Sequence, residues 1–365
     1  MPLERYDQIL ATGCLGPGEG SLEHLVSDQG IEVRRIAGLR PELRPWDDLR
    51  ALVGLVRMIR EHSPDIVETH TAKAGVVGRV AAVLARRHRP AIVHWYHGHV
   101  LTGYFSAPAT LAYRIVERGL ARVSDRLVCV SEATKRELVD LGVADGERFE
   151  VVRLGLDLHH FVEPDAARVE GARRELGAAE DNTVLACFVG RLVPIKRVDL
   201  LLEALAEVRG DVPELRLAVV GDGPLRAELE AQARQRGVED IVRFAGFRHD
   251  MAVVVGAMDI GVLPSDNEGS PISLIEAAAG GRCVIATRVG GVPEVVTPES
   301  GRLVPPGDVR ALASALSELA TDADLRSRLG AAGRRHVLAG WTIPRLLTDV
   351  ERLYDSVLEE RRGVG

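Results

Sequence analysis

Aromatic residues are scarce, at 4% of the 365 residues. So few rings leave little to stack on nucleic-acid bases, and a base-stacking platform is not expected. Cysteine is sparse too. Cys14, Cys129, Cys187 and Cys283 stand far apart and make no CxxC pair, which excludes the paired spacing of zinc ribbons and thioredoxin-like motifs. At least Cys129, Cys187 and Cys283 fall in apolar strands, so buried, reduced thiols of a cytoplasmic chain are expected. Positive charge is not in excess: 46 Lys and Arg face 53 Asp and Glu, a formal charge of −7, with a pI near 5.9. General nucleic-acid binding is therefore disfavoured. No run approaches the roughly 18 apolar residues of a membrane span, and MPLERYDQIL carries no apolar signal core. No GxxxxGK[ST] is present, which removes a P-loop. Short repeats and low-complexity tracts are missing as well.

What is present is apolar and alternating. Hydrophobic residues make up 46%, enough for sizeable cores, and the length suits about two domains. In the first half, strands are read at 8–13, 31–37, 65–70, 91–98, 125–131 and 149–155. Helices fall between them, at 21–29, 46–62, 74–87, 113–123 and 132–141. A second series begins at 184 with VLACFVG and continues through LRLAVVGDG, IVRFAGF, DIGVLP and CVIATRVGG. Strands alternating with helices imply parallel sheets covered on both faces. The fold class is α/β, with a first domain over 1–160, a charged linker over 161–182, a second domain over 183–340, and a helical segment over 341–365 that crosses back to the first. Open α/β sheets bind ligands at the carboxyl ends of their strands, so two such sheets facing each other would form a cleft.

One stretch organises the chain: PSDNEGSPISLIEAAAGG, 264–281. A strand ends in a polar loop, and a helix starts near Ser270 and Pro271, residues suited to a helix start. Free N–H groups at that start, with the helix dipole, make an anion site that a diphosphate fits. Glu268 in the loop and Glu276 in the helix suit neutral hydroxyls, of a sugar and a ribose. The plainer reading is a capped surface helix, and two Glu alone do not outweigh it. Upstream, Gly190-Arg191 ends a strand and Lys196 opens the next helix in GRLVPIKR. At 4 Å one unit-charge pair gains roughly 4 kcal/mol at an effective dielectric of 20. Against this stands a pair of merely solvated cations. Gly221-Asp222-Gly223 allows close backbone approach, and FAGFRHD, with Phe247, ends a strand where a nucleobase or a simple turn fits equally.

In the first half, HWYHGH places His97 and His99 on one strand face and His94 on the other. A metal site is disfavoured, since no paired carboxylate or cysteine is adjacent. His97 at a strand end suits a hydrogen-bonding role, and a structural histidine is the alternative. His70 and Lys73, in HTAK, end the preceding strand in the same way. Tyr104 and Phe105 lie in a nearby loop. Arg114, Arg118 and Arg122 recur at helical spacing, giving either a solvated basic face or one that meets a membrane or an anionic acceptor.

Together GRLVPIKR, GDG, EGSPISLIEAAAGG and YHG, in this order, resemble family 4 of the retaining glycosyltransferases, with the two-domain GT-B fold of Rossmann-like sheets. The resemblance covers nearly the whole chain, and HTAKAG and YHGHV look like enzymes of bacterial surface-polysaccharide or lipid-linked glycan synthesis. It implies a nucleotide diphosphate sugar, UDP- or GDP-linked, as donor, a glycan or lipid-linked acceptor, no metal and no other cofactor. Arg191 and Lys196 would bind the donor diphosphate beside the Gly190 and Gly221 turns. Glu276 would hold the ribose, Glu268 the sugar, and Gly269, Ser270, Pro271, Ile272 and Ser273 would line sugar and phosphate. Phe247 belongs to the same donor set. His97 would sit over the donor sugar, with His70, Lys73 and Tyr104 on the acceptor side. The leaving phosphate would take the acceptor proton, so no side-chain nucleophile is needed. The expected location is cytoplasmic, with peripheral contact at the inner membrane face. The family's opening strand and Gly-rich loop are not seen, so the first domain is expected to be incomplete. Two other functions share the architecture: a non-hydrolysing nucleotide-sugar 2-epimerase and an inactive nucleotide-sugar-binding protein.

Overall fold

The computed structural model describes residues 1, 4–14, 23–40, 42, 44–85, 89–98, 107–180 and 182–363. The chain divides into two units, Met1–Val152 with Leu347–Gly365, and Arg153–Leu346.

In the first unit β1 (Ile9–Thr12), α1 (Glu23–Ser27), β2 (Glu32–Arg35), α2 (Pro45–His62), β3 (Ile66–His70), α3 (Ala72–Leu84), β4 (Ala91–Tyr96), α4 (Ala107–Val123), β5 (Arg126–Cys129), α5 (Glu132–Asp140) and β6 (Phe149–Val151) follow in order. All pairings are parallel, but they form two sheets, β1-β2 and β3-β4-β5-β6. The two share one core. Ala11 of β1, Ile36 after β2, Val67 of β3 and Ile92 of β4 pack with Ala51, Leu55 and Ile59 of α2 and with Ala81 of α3. β4 is buried at every position, as a strand covered on both faces must be. Pro45 opens α2 with the φ a first turn needs, Asp47 and Asp48 follow, and Arg60 and His62 sit in the last turn, which suits the helix dipole. Between α3 and α4 lies a buried ion pair. Arg79 Nη2 meets Glu117 Oε1 and Oε2 at 2.8 and 2.9 Å, and the Tyr96 hydroxyl donates to the same carboxylate at 2.8 Å.

The second unit contains α6 (His159–Val162), α7 (Ala166–Glu175), β7 (Val184–Val189), α8 (Val198–Val208), β8 (Leu215–Val220), α9 (Arg226–Gln235), β9 (Val242–Gly246), α10 (Met251–Ala257), β10 (Ile260–Leu263), α11 (Ile272–Ala279), β11 (Cys283–Thr287), α12 (Val292–Val295), β12 (Gly301–Val304), α13 (Val309–Thr321) and α14 (Ala323–Gly340). Its six parallel strands run β12-β11-β10-β7-β8-β9, a doubly wound order that reverses between β7 and β10. The segment 161–182, read as a linker, holds α7 instead. Asp165 caps that helix by accepting from the Ala167 and Arg168 N–H groups, and Phe161, Ala172 and Leu176 enter the core of this unit. Helix α10 is given no bounds by the sequence pattern: five consecutive buried residues, Val253–Ala257, conceal the helical period.

The last helix, α15 (Ile343–Gly363), starts in the second unit, and from Leu347 on it belongs to the first. There Val350, Leu353 and Val357 are buried. Arg5 bonds Asp355 at 2.6 Å, Arg361 bonds Asp125 at 3.2 Å, and Arg126 pairs with Glu360. The four cysteines are free, with Cys129, Cys187 and Cys283 buried and Cys14 partly so.

Candidate active site

In the second unit the chain winds away from β7 towards β8 and away from β10 towards β11, so the carboxyl ends of β7 and β10 flank the crevice where such sheets bind ligands. The loop after β7 carries Gly190, Arg191 and Lys196, and the loop after β10 carries Ser265, Asp266 and Glu268. They are tied together, the Asp266 N–H donating to the Ile195 carbonyl at 2.8 Å. Lys196 Nζ lies 2.5 Å from Glu268 Oε1, and the Ser265 hydroxyl donates to the same oxygen at 2.7 Å. Glu268 is 9% exposed. Its backbone is held as well. Its carbonyl accepts the Gly291 N–H at 2.9 Å, and a Cβ on Gly290 would stand 2.0 Å from that same oxygen.

This pairing differs from the two separate ligand contacts expected of Lys196 and Glu268. An ammonium has three donors and a carboxylate two oxygens. One donor and one oxygen are used in the pair, leaving Lys196 two N–H groups for phosphate and Glu268 Oε2 for a hydroxyl. Neither Ser265 nor the pairing was singled out in the sequence. Arg191 is exposed, and its guanidinium makes no ion pair among the described residues.

Two strand ends approach closely beside this loop. The Gly190 N–H donates to Val220 O at 3.0 Å and the Gly221 N–H to Gly246 O at 2.8 Å. A Cβ on Gly221, whose φ is +131°, would fall 1.9 Å from Gly190 O, so only glycine fits. Phe247, just past β9, is 69% exposed, its ring edge-on to His249 at 4.7 Å.

Helix α11 begins one residue later than expected. Pro271, not Ser270, is the N-cap, and no side chain caps it. Leu274 and Ile275 donate to Pro271 O, while the Ser273 N–H meets no protein acceptor among the described residues. That leaves first-turn donors for an anion. Leu274 and Ile275 anchor the helix in the core, whereas Ile272 is 44% exposed. Glu276 lies four residues on, on the same helix face. Burial without a partner pushes its carboxyl up to about 7.

The first unit has its own polar strand end. β3 and β4 pair with His70 opposite Trp95, and His97 follows two residues later. Glu68 Oε1 lies 2.9 Å from His70 Nε2, and His70 Nδ1 lies 2.8 Å from His97 Nε2. The Tyr354 hydroxyl donates to Glu68 Oε2. Burial pushes the Glu68 carboxyl up, but the bonds from His70 and Tyr354 hold it below its ordinary value. Desolvation, then the neighbouring His70, lowers His97. His94 is structural. It is buried, 2.9 Å from Thr69 Oγ1, and burial with the nearby Arg79 pushes it down to about 2. Lys73, expected to face an acceptor, is drawn to Asp48 at 2.5 Å and to the Glu42 carbonyl. Tyr104, Phe105 and His99 lie outside the described residues. The basic face of α4 is interrupted, because Arg118 bonds the Leu141 and Gly142 carbonyls. Leu111, Ile115 and Val116 are exposed there instead. Among the described residues no three His, Cys, Asp or Glu side chains cluster to hold a metal.

Comparison with known proteins agrees with this layout. Residues 9–160 match glycosyltransferase family 4, and residues 170–336 match glycosyl transferases group 1. The chain is 35% identical to a D-inositol 3-phosphate glycosyltransferase of Kribbella flavida, over 76% of its own length and 68% of the relative. It is 27% identical to the Escherichia coli UDP-Gal:alpha-D-GlcNAc-diphosphoundecaprenol alpha-1,3-galactosyltransferase, over 97% and 90%. In fold it is similar to Anabaena HepE, crystallised with UDP and glucose, at a TM-score of 0.82, 22% identity, and 96% and 99% coverage. The chain belongs to glycosyltransferase family 4, with the two Rossmann-like domains of the GT-B fold.

Proposed function

We propose that this glycosyltransferase transfers a hexose or N-acetylhexosamine, with retained anomeric configuration, from a UDP- or GDP-linked donor to an acceptor hydroxyl in polysaccharide or lipid-linked glycan synthesis. The observation that carries the reading is the Lys196–Glu268–Ser265 cluster at the switch point of the second sheet. In this reading the donor diphosphate takes Arg191, the free N–H groups of Lys196, the loop Gly269 to Pro271 and the first turn of α11, with Ile272 and Ser273. Gly190 and Gly221 let the backbone come close. Glu276 receives the ribose hydroxyls, Phe247 flanks the base, and Glu268 Oε2 receives a sugar hydroxyl. The bond from the anomeric carbon to the diphosphate breaks as the bond to the acceptor oxygen forms on the same face, and the acceptor proton goes to the departing phosphate. Positioning and charge stabilisation do the catalysis. Cationic side chains and helix amides meet the leaving-group charge, so no metal is required. His97 serves the reacting sugar.

The names of the relatives support a UDP-sugar donor and acceptors bearing phosphate or a lipid-linked diphosphate. An acceptor on a lipid fits cytoplasmic placement with peripheral contact at the inner membrane face, where the exposed Leu111 and Ile115 of α4 would meet the lipid. No helix among the described residues is long and apolar enough to cross a membrane.

The test is incubation with UDP- and GDP-sugars, with lipid-diphosphate and inositol-phosphate acceptors, in the presence and absence of EDTA. Products are read by mass spectrometry and their anomeric configuration by NMR. EDTA-resistant transfer with retention is expected. An inverted product, an epimer formed without acceptor, or nucleotide binding with no transfer to any acceptor would each sink the proposal.

A further inference from the structure

The polar strand end of the first unit is a connected chain, and its atoms carry a direction. Glu68 and His70 share one face of β3, being two residues apart. His97 follows β4, which pairs with β3. The rings of His70 and His97 are close to parallel, 23° apart with centroids at 5.1 Å, and Trp95 is near-parallel to both at 6.0 and 6.1 Å. The chain is thus held by stacking as well as by hydrogen bonds. Glu68 is an acceptor only, so a neutral His70 must keep its hydrogen on Nε2, 2.9 Å away. Its Nδ1 is then a bare lone pair, which must accept from His97 Nε2 at 2.8 Å. His97 in turn has a bare Nδ1. His97 is exposed, and that atom meets no protein partner among the described residues.

We infer that Glu68 and His70 are positioning residues that make His97 present a hydrogen-bond acceptor, Nδ1, to a hydroxyl group of the substrate. The inference rests on the glycosyltransferase reading for the identity of that hydroxyl-bearing ligand. It excludes a phosphate or carbonyl oxygen as the partner of His97 while the chain is neutral, since those groups offer no hydrogen. Adding one proton reverses the polarity. A protonated His70 donates from both nitrogens, His97 Nε2 must accept, and its outward Nδ1 becomes a donor. A hydroxyl therefore donates to the bare Nδ1 of the neutral chain, but once a proton is added it can only accept from Nδ1, and its own hydrogen is turned away from His97. The titratable groups facing this chain are Tyr354 from α15, His94 from β4 and, behind His94, Arg79 from α3.

The test combines a spectrum and a profile. In uniformly 15N-labelled wild type near pH 8, long-range 15N–1H spectra assign the hydrogen on each imidazole. Hydrogen on Nε2 of both His70 and His97 is expected. Nδ1–H on either ring overturns the chain, and this result needs no variant and no substrate. In His70→Phe the stack with Trp95 survives, but the acceptor is gone and Glu68 keeps only the Tyr354 hydroxyl. Losing the repulsion of His70 and freeing Glu68 Oε1 both raise His97, so the acid limb of kcat/KM moves up by about half a pH unit or more. His97→Ala loses about ten- to a hundred-fold in kcat/KM, the size of an unmade bond to a buried hydroxyl. A His70→Phe profile that superimposes on wild type, or an unchanged kcat/KM in His97→Ala, overturns the inference. Absence of transfer by wild type with every acceptor would instead overturn the glycosyltransferase reading, and the spectrum would still decide the chain.

Discussion

Lys196 and Glu268 share one charge balance, so removing either leaves the other exposed to the cost of burial. A buried ion without its partner is penalised by several kcal/mol, or it neutralises. In Lys196→Ala the Glu268 carboxylate loses its ion partner and the diphosphate loses two donors. In Glu268→Ala the sugar hydroxyl loses its acceptor. Each variant is expected to cut kcat by roughly 10²–10³-fold, with the circular dichroism of the fold retained. Wild-type turnover in either would detach this cluster from the chemistry. Glu276 gives a pH signature. Its carboxyl is raised to about 7 by burial, so between its unfolded value and about 7 the folded chain holds more protons than the unfolded one. Stability from this group therefore falls as pH rises through that window and is flat above it. If ribose hydroxyls donate to the carboxylate, binding lowers its pKa. UDP then binds more tightly as pH rises towards about 7 and releases protons at pH 6.5. Calorimetry in buffers of different ionisation heat measures the release, which should vanish in Glu276→Gln. These residues were legible because glutamates and cations beside glycine at strand ends stand out. The pairing of Lys196 with Glu268 was not, since the two are far apart in sequence and only the strand order brings their loops together. Glu68 could have been found: it precedes His70 by two in a strand, on the same face, and the adjacent strand ends at His97.

At the scale of elements, the approach of β7 to β8 depends on Gly221. An alanine there meets Gly190 O and must hold a φ of +131°, a conformation that costs a side chain about 1–3 kcal/mol. Gly221→Ala is expected to lose at least that much in urea unfolding and to weaken UDP binding; an unchanged midpoint and affinity would show that the turn relaxes freely. The Arg79–Glu117 pair makes a second element-level claim. Arg79→Met leaves Glu117, 1% exposed, without its cation. A loss of about 3–5 kcal/mol is expected, which urea titration of the variant at neutral pH would measure. Strands and amphipathic helices were legible from period. Helix α7 was not, because ARVEGARRE fully buries only Ala172 and so looks like a charged tether. Helix α10 was hidden for the opposite reason, being buried along most of its length.

For the molecule as a whole, the two units keep separate cores, and each should register its own perturbation. Leu353 of α15 is fully buried in the first unit. Leu353→Ala is expected to cost about 2–5 kcal/mol there and to lower one calorimetric transition. UDP at about a hundred-fold over its Kd should raise the other by about 2.7 kcal/mol. A single transition moved by both would mean that the units unfold together. The two-fold division of the chain was legible from its alternating strands. The partition of the first unit into a pair and a quartet of strands was not, because pairing partners are set by which edges meet, and composition is silent on that.

The first unit is discontinuous, since it needs the last turns of α15, whereas the second is a single unbroken stretch. A ribosome therefore releases every residue of the second unit before the first can be closed. The usual order, in which the part made first folds first, is turned around. The early segment must wait, with its apolar surface open to chaperones, until translation is nearly finished.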